Sequence, residues 1–267
     1  MADKKTVFIT GAGRGLGKAI ALRYTREGFR VFATDRDETL LDTLPRDKHF
    51  RVLKMDVTQE KSIQQTAETI RKLTSQIDVL VSNAGIFDFY PLSEAGSIKL
   101  GRILEVNVLA LSSLTKYFTP LMTGGRLIVI SSESYKVPSP FQPYAVSKQA
   151  LESLFQAIRL ELATQGIRSI LIRPGAMKTQ ILEETIHYQN KLTETRFKAV
   201  FDEFLQSVPK YIGRVVTPDR VAEVVLKAGI GKHPKTVYNI NHNPLVSLLS
   251  YLPARIQEKL VLRTLKR

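Results

Sequence analysis

Cysteine is absent from the 267 residues, which excludes disulfides, thiolate catalysis and cysteine-ligated metals. Histidine is scarce: His49, His187, His233 and His242 are scattered with no metal-type spacing, so no metal site is expected. Long apolar runs are missing as well, and none reaches the ~20 residues needed to span a bilayer. Acidic residues are outnumbered 25 to 39, leaving a formal net charge of +14. Such an excess suits nucleic acid, an anionic membrane or a basic solvated surface. No basic stretch interleaved with aromatics accompanies it, so no nucleic-acid partner is expected. Met1 to Lys5 is polar and leads directly into a strand pattern, without the apolar core of a signal peptide. The expected setting is cytoplasmic. No internal repeat, low-complexity tract or linker divides the chain. A hydrophobic content of 43% over this length suits one large α/β domain spanning residues 1–267.

What is present is a regular β/α rhythm. Thr6 to Thr10 is a buried-strand run that enters Gly11-Ala12-Gly13-Arg14-Gly15-Leu16-Gly17 and then a helical pattern through Ile20, Leu22 and Tyr24. Strand, glycine turn and helix in that order form the first part of a dinucleotide-binding βαβ unit. The glycines let the backbone approach a pyrophosphate, whose charge meets the helix N-terminus. Phe29 to Thr34 reads as a second strand ending at Asp35, eighteen residues after Gly17, where an acid can accept hydrogen bonds from ribose hydroxyls. A third strand, Phe50 to Met55, ends at Asp56-Val57, beside the expected adenine. A helix from Gln59 to Leu73 and a strand from Ile77 to Val81 follow, and the strand empties into Ser82-Asn83-Ala84-Gly85, where small residues allow close passage of a cofactor.

The chemistry is expected further along. Arg126 to Ile130 is a short β-branched strand, followed by Ser131, Ser132 and a Pro-punctuated loop, then by a long helix beginning near Tyr144 and ending at Gly166. Tyr144 and Lys148 are four residues apart and project from one helical face. A phenol with an ordinary pKa of ~10 is a poor base at neutral pH, and a neighbouring ammonium is expected to draw it toward the working range. A serine at the strand's end can hold the reacting oxygen against the tyrosine. Asn107, in a helical segment over Ser97 to Met122, is either a satisfied core amide or an active-site one. The strand from Ile167 to Ile172 closes at Pro174-Gly175-Ala176-Met177-Lys178-Thr179.

From Gln180 to Gly213 the rhythm breaks. Phe197, Val200, Phe201, Phe204, Leu205 and Val208 share one helical face, which suits a packed surface helix or a lid over an apolar substrate. A helix from Pro218 to Lys227 and a strand from Thr236 to Ile240 come next. The tail, about 244–267, crowds Leu245, Leu248, Leu249 and Tyr251 before a basic amphipathic stretch with Ile256, Leu260, Val261 and Leu265 beside Arg255, Lys259, Arg263, Lys266 and Arg267. Such a segment can lie in a membrane interface, cover the substrate pocket or meet a partner subunit.

These motifs together resemble the short-chain dehydrogenase/reductase family, over Thr6 to about Ile240. The Thr-Gly-x-x-x-Gly-x-Gly pattern is met by Thr10, Gly11, Gly15 and Gly17, the Asn-Ala-Gly motif by Asn83 to Gly85, the helix asparagine by Asn107. The Tyr-x-x-x-Lys signature is met by Tyr144 and Lys148, and Pro-Gly with a following threonine by Pro174, Gly175 and Thr179. The resemblance implies a doubly wound parallel sheet with helices on both faces, and hydride transfer between an alcohol and a ketone or aldehyde. It makes Tyr144 the general acid/base, and Lys148 the residue that holds the nicotinamide ribose and joins a relay with Asn107. It gives Thr179 a contact to the nicotinamide amide. The catalytic serine is Ser131 or Ser132 by spacing; Ser132 is chosen because Gly175-Ala176-Met177-Lys178 and Tyr251-Leu252-Pro253 resemble the retinol- and hydroxysteroid-dehydrogenase-like branch. Asp35 favours NAD over NADP, while Arg14 and Arg36 favour NADP. A small apolar alcohol or ketone is the expected substrate, and a homodimer or homotetramer the expected assembly. A catalytically weak dinucleotide-sensing protein of the same fold is the alternative.

Overall fold

The computed structural model describes residues 4–137, 139–186 and 194–265. His187, Lys266, Arg267 and the middle of the expected lid, 187–193, lie outside the described residues. Seven strands form one parallel sheet in the order β3-β2-β1-β4-β5-β6-β7. They are β1 (Thr6–Thr10), β2 (Arg30–Asp35), β3 (Phe50–Lys54), β4 (Val79–Ser82), β5 (Arg126–Ile130), β6 (Arg168–Pro174) and β7 (Val237–Ile240).

The central strands read as unbroken apolar runs because both faces of the sheet are covered, so neither alternate position meets water. Val7, Ile9, Val31, Val79, Val81, Ile128 and Ile170 point to one face. There they pack against α1 (Gly15–Arg26) and α9 (Pro218–Ile230) through Ile20, Tyr24, Val221 and Val225. Phe8, Phe32, Leu80, Leu127, Val129 and Leu171 point to the other. They meet α3 (Glu60–Arg71), α5 (Ala110–Phe118) and α6 (Pro143–Ala163) through Ile63, Phe118 and Phe155, with Phe8 and Phe118 stacked at 4.2 Å between centroids. This is the three-layer, doubly wound arrangement expected from the motifs.

The chain leaves β1 for β2 and β3 on one side and returns for β4 on the other. A crevice therefore opens at the carboxyl ends of β1 and β4, where ligands bind in open α/β sheets. The remaining helices surround that end. They are α2 (Glu38–Leu41), α4 (Gly96–Leu104), α7 (Gln180–Ile186), α8 (Lys198–Tyr211), α10 (Pro244–Leu249) and α11 (Ala254–Thr264).

One expected element differs. The segment expected as one helix over Ser97 to Met122 is broken by a π-helical turn at Glu105–Leu109, between α4 and α5. Asn107 lies in that turn and bonds sideways: its Oδ1 accepts from the Ile86 N–H at 2.8 Å, and its Nδ2 donates to the Ile86 carbonyl at 2.9 Å and to Ser147 Oγ at 2.9 Å. It thereby ties one loop and one helix to the turn, and π turns of this kind are frequent at functional sites.

Candidate active site

A cavity of about 540 Å³ occupies the crevice. Its floor is the glycine turn after β1. Gly11 has φ +63°, and a Cβ there would lie 2.8 Å from the Ala84 Cα; a Cβ on Gly17 would lie 2.0 Å from the Gly11 carbonyl oxygen. Only glycine fits the second position, because α1 starts directly against the turn. Thr10 ties this turn to the Asn83-Ala84-Gly85 loop: its Oγ1 accepts from the N–H groups of Asn83 (3.0 Å) and Ala84 (3.1 Å). The Asn83 Nδ2 donates back to the carbonyls of Thr10 and Gly11. The α1 N-terminus has no side-chain cap and no acid in its first turn, while Arg23 and Arg26 sit in its last. Its first amides are left to meet an anion.

Around this floor lie the other residues expected to hold a cofactor. Arg14, Gly15, Leu16, Asp35, Arg36, Asp56, Val57, Pro174, Gly175 and Thr179 all line the cavity. The Asp35 carboxylate accepts from the N–H groups of Gly13 and Asp37, each at 3.1 Å, which fixes it at the end of β2. Asp56 spends Oδ1 on the Thr58 N–H and hydroxyl. The Arg14 guanidinium donates to Gln180 Oε1, joining the turn to α7. The floor left free by the glycines, the open helix N-terminus and the acid at the end of β2 fit a nicotinamide dinucleotide.

Ser132, Tyr144 and Lys148 meet at the far end of the cavity. The Ser132 hydroxyl stands beside the Tyr144 phenol and favours its ionised form. Ser132 is itself held by Ser134, whose N–H lies 3.2 Å and whose hydroxyl lies 3.1 Å from it. Ser131 is turned away: it donates to the buried Glu152 carboxylate at 2.7 Å. Lys148 is buried and donates to the Ile130 carbonyl at 3.0 Å, with Nζ 5.5 Å from the Tyr144 ring centroid. Burial lowers its pKa to about 8, partly opposed by Glu152. The phenol does not move as the sequence suggests: burial pushes it up to about 12, and only the Ser132 hydroxyl pulls the other way. The ammonium is engaged with Ile130, and at neutral pH Tyr144 is a neutral acid.

Asn107 stands behind the cavity, next to Lys148. Its side chain does not line the cavity but is spent on Ile86 and Ser147, so it positions the loop and α6 rather than touching the reacting atoms.

Within this geometry, residues 5–190 match the family model for short chain dehydrogenase. The chain belongs to that family. Among curated relatives it is 28% identical to an NADPH-dependent 3-dehydrocapnine reductase of Ornithobacterium rhinotracheale, covering 97% of this chain and 96% of the relative. It is 31% identical to an NADPH-dependent 1-acyldihydroxyacetone phosphate reductase of Schizosaccharomyces pombe, over 68% of this chain and 62% of that one. A short-chain dehydrogenase from Streptomyces avermitilis shares the fold with a TM-score of 0.79, at 24% identity and 98% coverage of both chains. The dehydrogenase is thus an NAD(P)-dependent oxidoreductase of the alcohol–carbonyl class.

Glu152 and Arg173 of the dehydrogenase's site escaped sequence reading. Glu152 lies one turn beyond Lys148 on the Tyr144 face, and that i, i+4, i+8 spacing was its signal. It pairs with Arg173 at 2.9 Å (Nε to Oε1) and 2.5 Å (Nη2 to Oε2), and Arg173 stacks 4.2 Å over Tyr135. Phe141 adopts φ +60° and packs on Phe197, Phe201 and Phe204, while Phe204 meets Phe89 edge-on at 5.4 Å. Val246, Leu249, Val261 and Leu265 of the tail complete the wall.

Proposed function

We propose that the dehydrogenase interconverts an apolar alcohol and its ketone or aldehyde, of steroid, retinoid or fatty-chain type, with Tyr144 as the general acid/base. The observation that carries this is the meeting of Ser132, Tyr144 and Lys148 at one end of a cavity walled by Phe87, Phe89, Phe204, Leu249 and Val261. A bound nicotinamide dinucleotide supplies or accepts the hydride. Ser132 positions the substrate oxygen, and Tyr144 gives that oxygen a proton on reduction or takes one on oxidation. Lys148 sets the charge beside the phenol. The aromatic face of α8 acts as a lid, since Phe201 and Phe204 close on Phe89 and Phe141 and exclude water from the reacting centre. A homodimer or homotetramer, and peripheral membrane contact through the tail, complete the reading.

The test is nicotinamide absorbance on a panel of steroid, retinoid and long-chain alcohols and ketones, with each dinucleotide. Turnover is expected on apolar members and not on sugars. Nucleotide binding without turnover on any member would move the reading to a dinucleotide sensor.

NAD is the preferred dinucleotide in this reading. A carboxylate ~5 Å from a 2′-phosphate costs ~3 kcal/mol at an effective dielectric of ~20, less with screening. Arg14, Arg36 and the NADPH dependence in the names of both relatives support NADP. Asp35→Asn keeps an acceptor for the Gly13 N–H and removes the charge. It is expected to raise the ratio of kcat/KM for NADP over NAD by about ten- to a hundredfold. An unchanged ratio would mean that Asp35 does not select the dinucleotide.

A further inference from the structure

α10 and α11 are apolar on two sides. Their inner residues, Val246, Leu249, Val261 and Leu265, wall the cavity. Their outer side carries Leu245 at 64% exposure, Leu248 at 65% and Tyr251 at 86%, one helical turn apart, with Ile256 and Leu262 also exposed. Arg255, Lys259 and Arg263 flank this strip, all exposed, against the single acid Glu258. Single surface leucines need no explanation, but a row of them on helices only one layer thick over a cavity does.

The segment is fastened to the catalytic loop. The Asn243 N–H donates to Glu133 Oε2 at 2.7 Å, and Lys136 Nζ donates to Ser247 Oγ at 3.0 Å. Glu133 directly follows Ser132, and Lys136 is four residues beyond it. The outer strip and the reacting end of the cavity are therefore held in a fixed relation.

We propose that the outer face of α10 and α11 docks on an anionic phospholipid bilayer, and that the substrate passes from the lipid through this wall into the cavity. Apolar residues flanked by cations match the acyl–headgroup boundary of such a bilayer, and the net charge of +14 favours the same surface over a neutral one. An apolar substrate then goes from one low-dielectric phase to another without crossing water. The entry route rests on the apolar-substrate reading above; the docking face does not.

The test is flotation of the full chain with vesicles of phosphatidylcholine, alone or mixed with phosphatidylserine. Binding to the mixed vesicles is expected to exceed binding to the neutral ones by about tenfold. It should weaken as salt shortens the Debye length from ~10 Å at 0.1 M to ~3 Å at 1 M. The triple variant Leu245→Ser/Leu248→Ser/Tyr251→Ser should lose about tenfold or more of that binding. Its turnover of a water-soluble short-chain substrate should stay within about twofold, since these side chains line neither cavity nor core. Turnover of a long-chain substrate presented in vesicles should fall with binding. Equal flotation of variant and wild type, or no flotation of either, overturns the proposal. So does a halved sedimentation mass in the variant, which would assign the face to a second copy of the chain. Flotation is read without turnover, so an inactive but tail-dependent binder would sink the oxidoreductase reading and leave this one standing.

Discussion

Tyr144→Phe is expected to lower kcat by about 10²- to 10⁴-fold in either direction while leaving nucleotide affinity unchanged. The substitution deletes only the hydroxyl. The ring keeps its contact with Phe87, whose centroid lies 5.2 Å away. Ser132 keeps its bonds to Ser134, so no buried donor is orphaned and folding stability should change by less than about 1 kcal/mol. The loss should therefore appear in kcat, with dinucleotide titration and the urea midpoint serving as controls. A phenylalanine variant with more than about a tenth of wild-type turnover would remove Tyr144 from the proton transfer.

Lys148→Met gives the opposite pattern: a more stable and much less active protein. In the native state the lysine pKa lies at about 8 instead of its ordinary 10.5, because the ammonium is buried. Between these values the unfolded chain holds a proton that the folded one has released, so stability rises with pH across that window. Below about pH 8 the full burial penalty applies, on the order of 3 kcal/mol. Methionine keeps the apolar stem and removes the charge, but leaves the Ile130 carbonyl without its donor, at about 1 kcal/mol. The variant should be more stable by about 2 kcal/mol at pH 7, with the advantage gone by about pH 10.5. Turnover should fall by about 10²-fold or more, because the residue expected to hold the nicotinamide ribose beside Tyr144 is gone. Urea denaturation of both proteins at pH 7 and pH 10 measures it. A variant less stable at pH 7, or a gain that persists at pH 10, would show that the buried ammonium is not a cost to the fold.

The sheet was legible because each central strand is buried on both faces and so reads as an uninterrupted β-branched run. The glycine turn was legible because Gly11 and Gly17 answer to close backbone approach, which no other residue satisfies. Tyr144 and Lys148 were legible from helical spacing read together with the glycine turn upstream. What escaped depends on partners distant in the chain. The π turn at Glu105–Leu109 carries Asn107, whose partners Ile86 and Ser147 are 21 and 40 residues away. That Ser131 is spent on Glu152, 21 residues on, is visible only in the fold. The upward shift of the phenol reflects how deeply its hydroxyl sits, which a one-dimensional pattern does not carry. The tail's amphipathic pattern left open what its apolar side touches; in the fold, one side touches the cavity.

The sheet is also one-sided, and that bears on where the molecule can be altered. The cavity and the residues that line it stand at the carboxyl edge of the strands, while the turns that return the chain from helix to strand stand at the other. Two of those turns pivot on Gly28 and Gly166, left-handed at φ +87° and +73°, with nothing within 4 Å of the space a side chain would fill. The half of the molecule that carries chemistry and the half that carries the connections are separated by the thickness of the sheet. A fluorophore, an affinity peptide or a surface tether attached at either turn would report on the protein from the side that its substrate never visits.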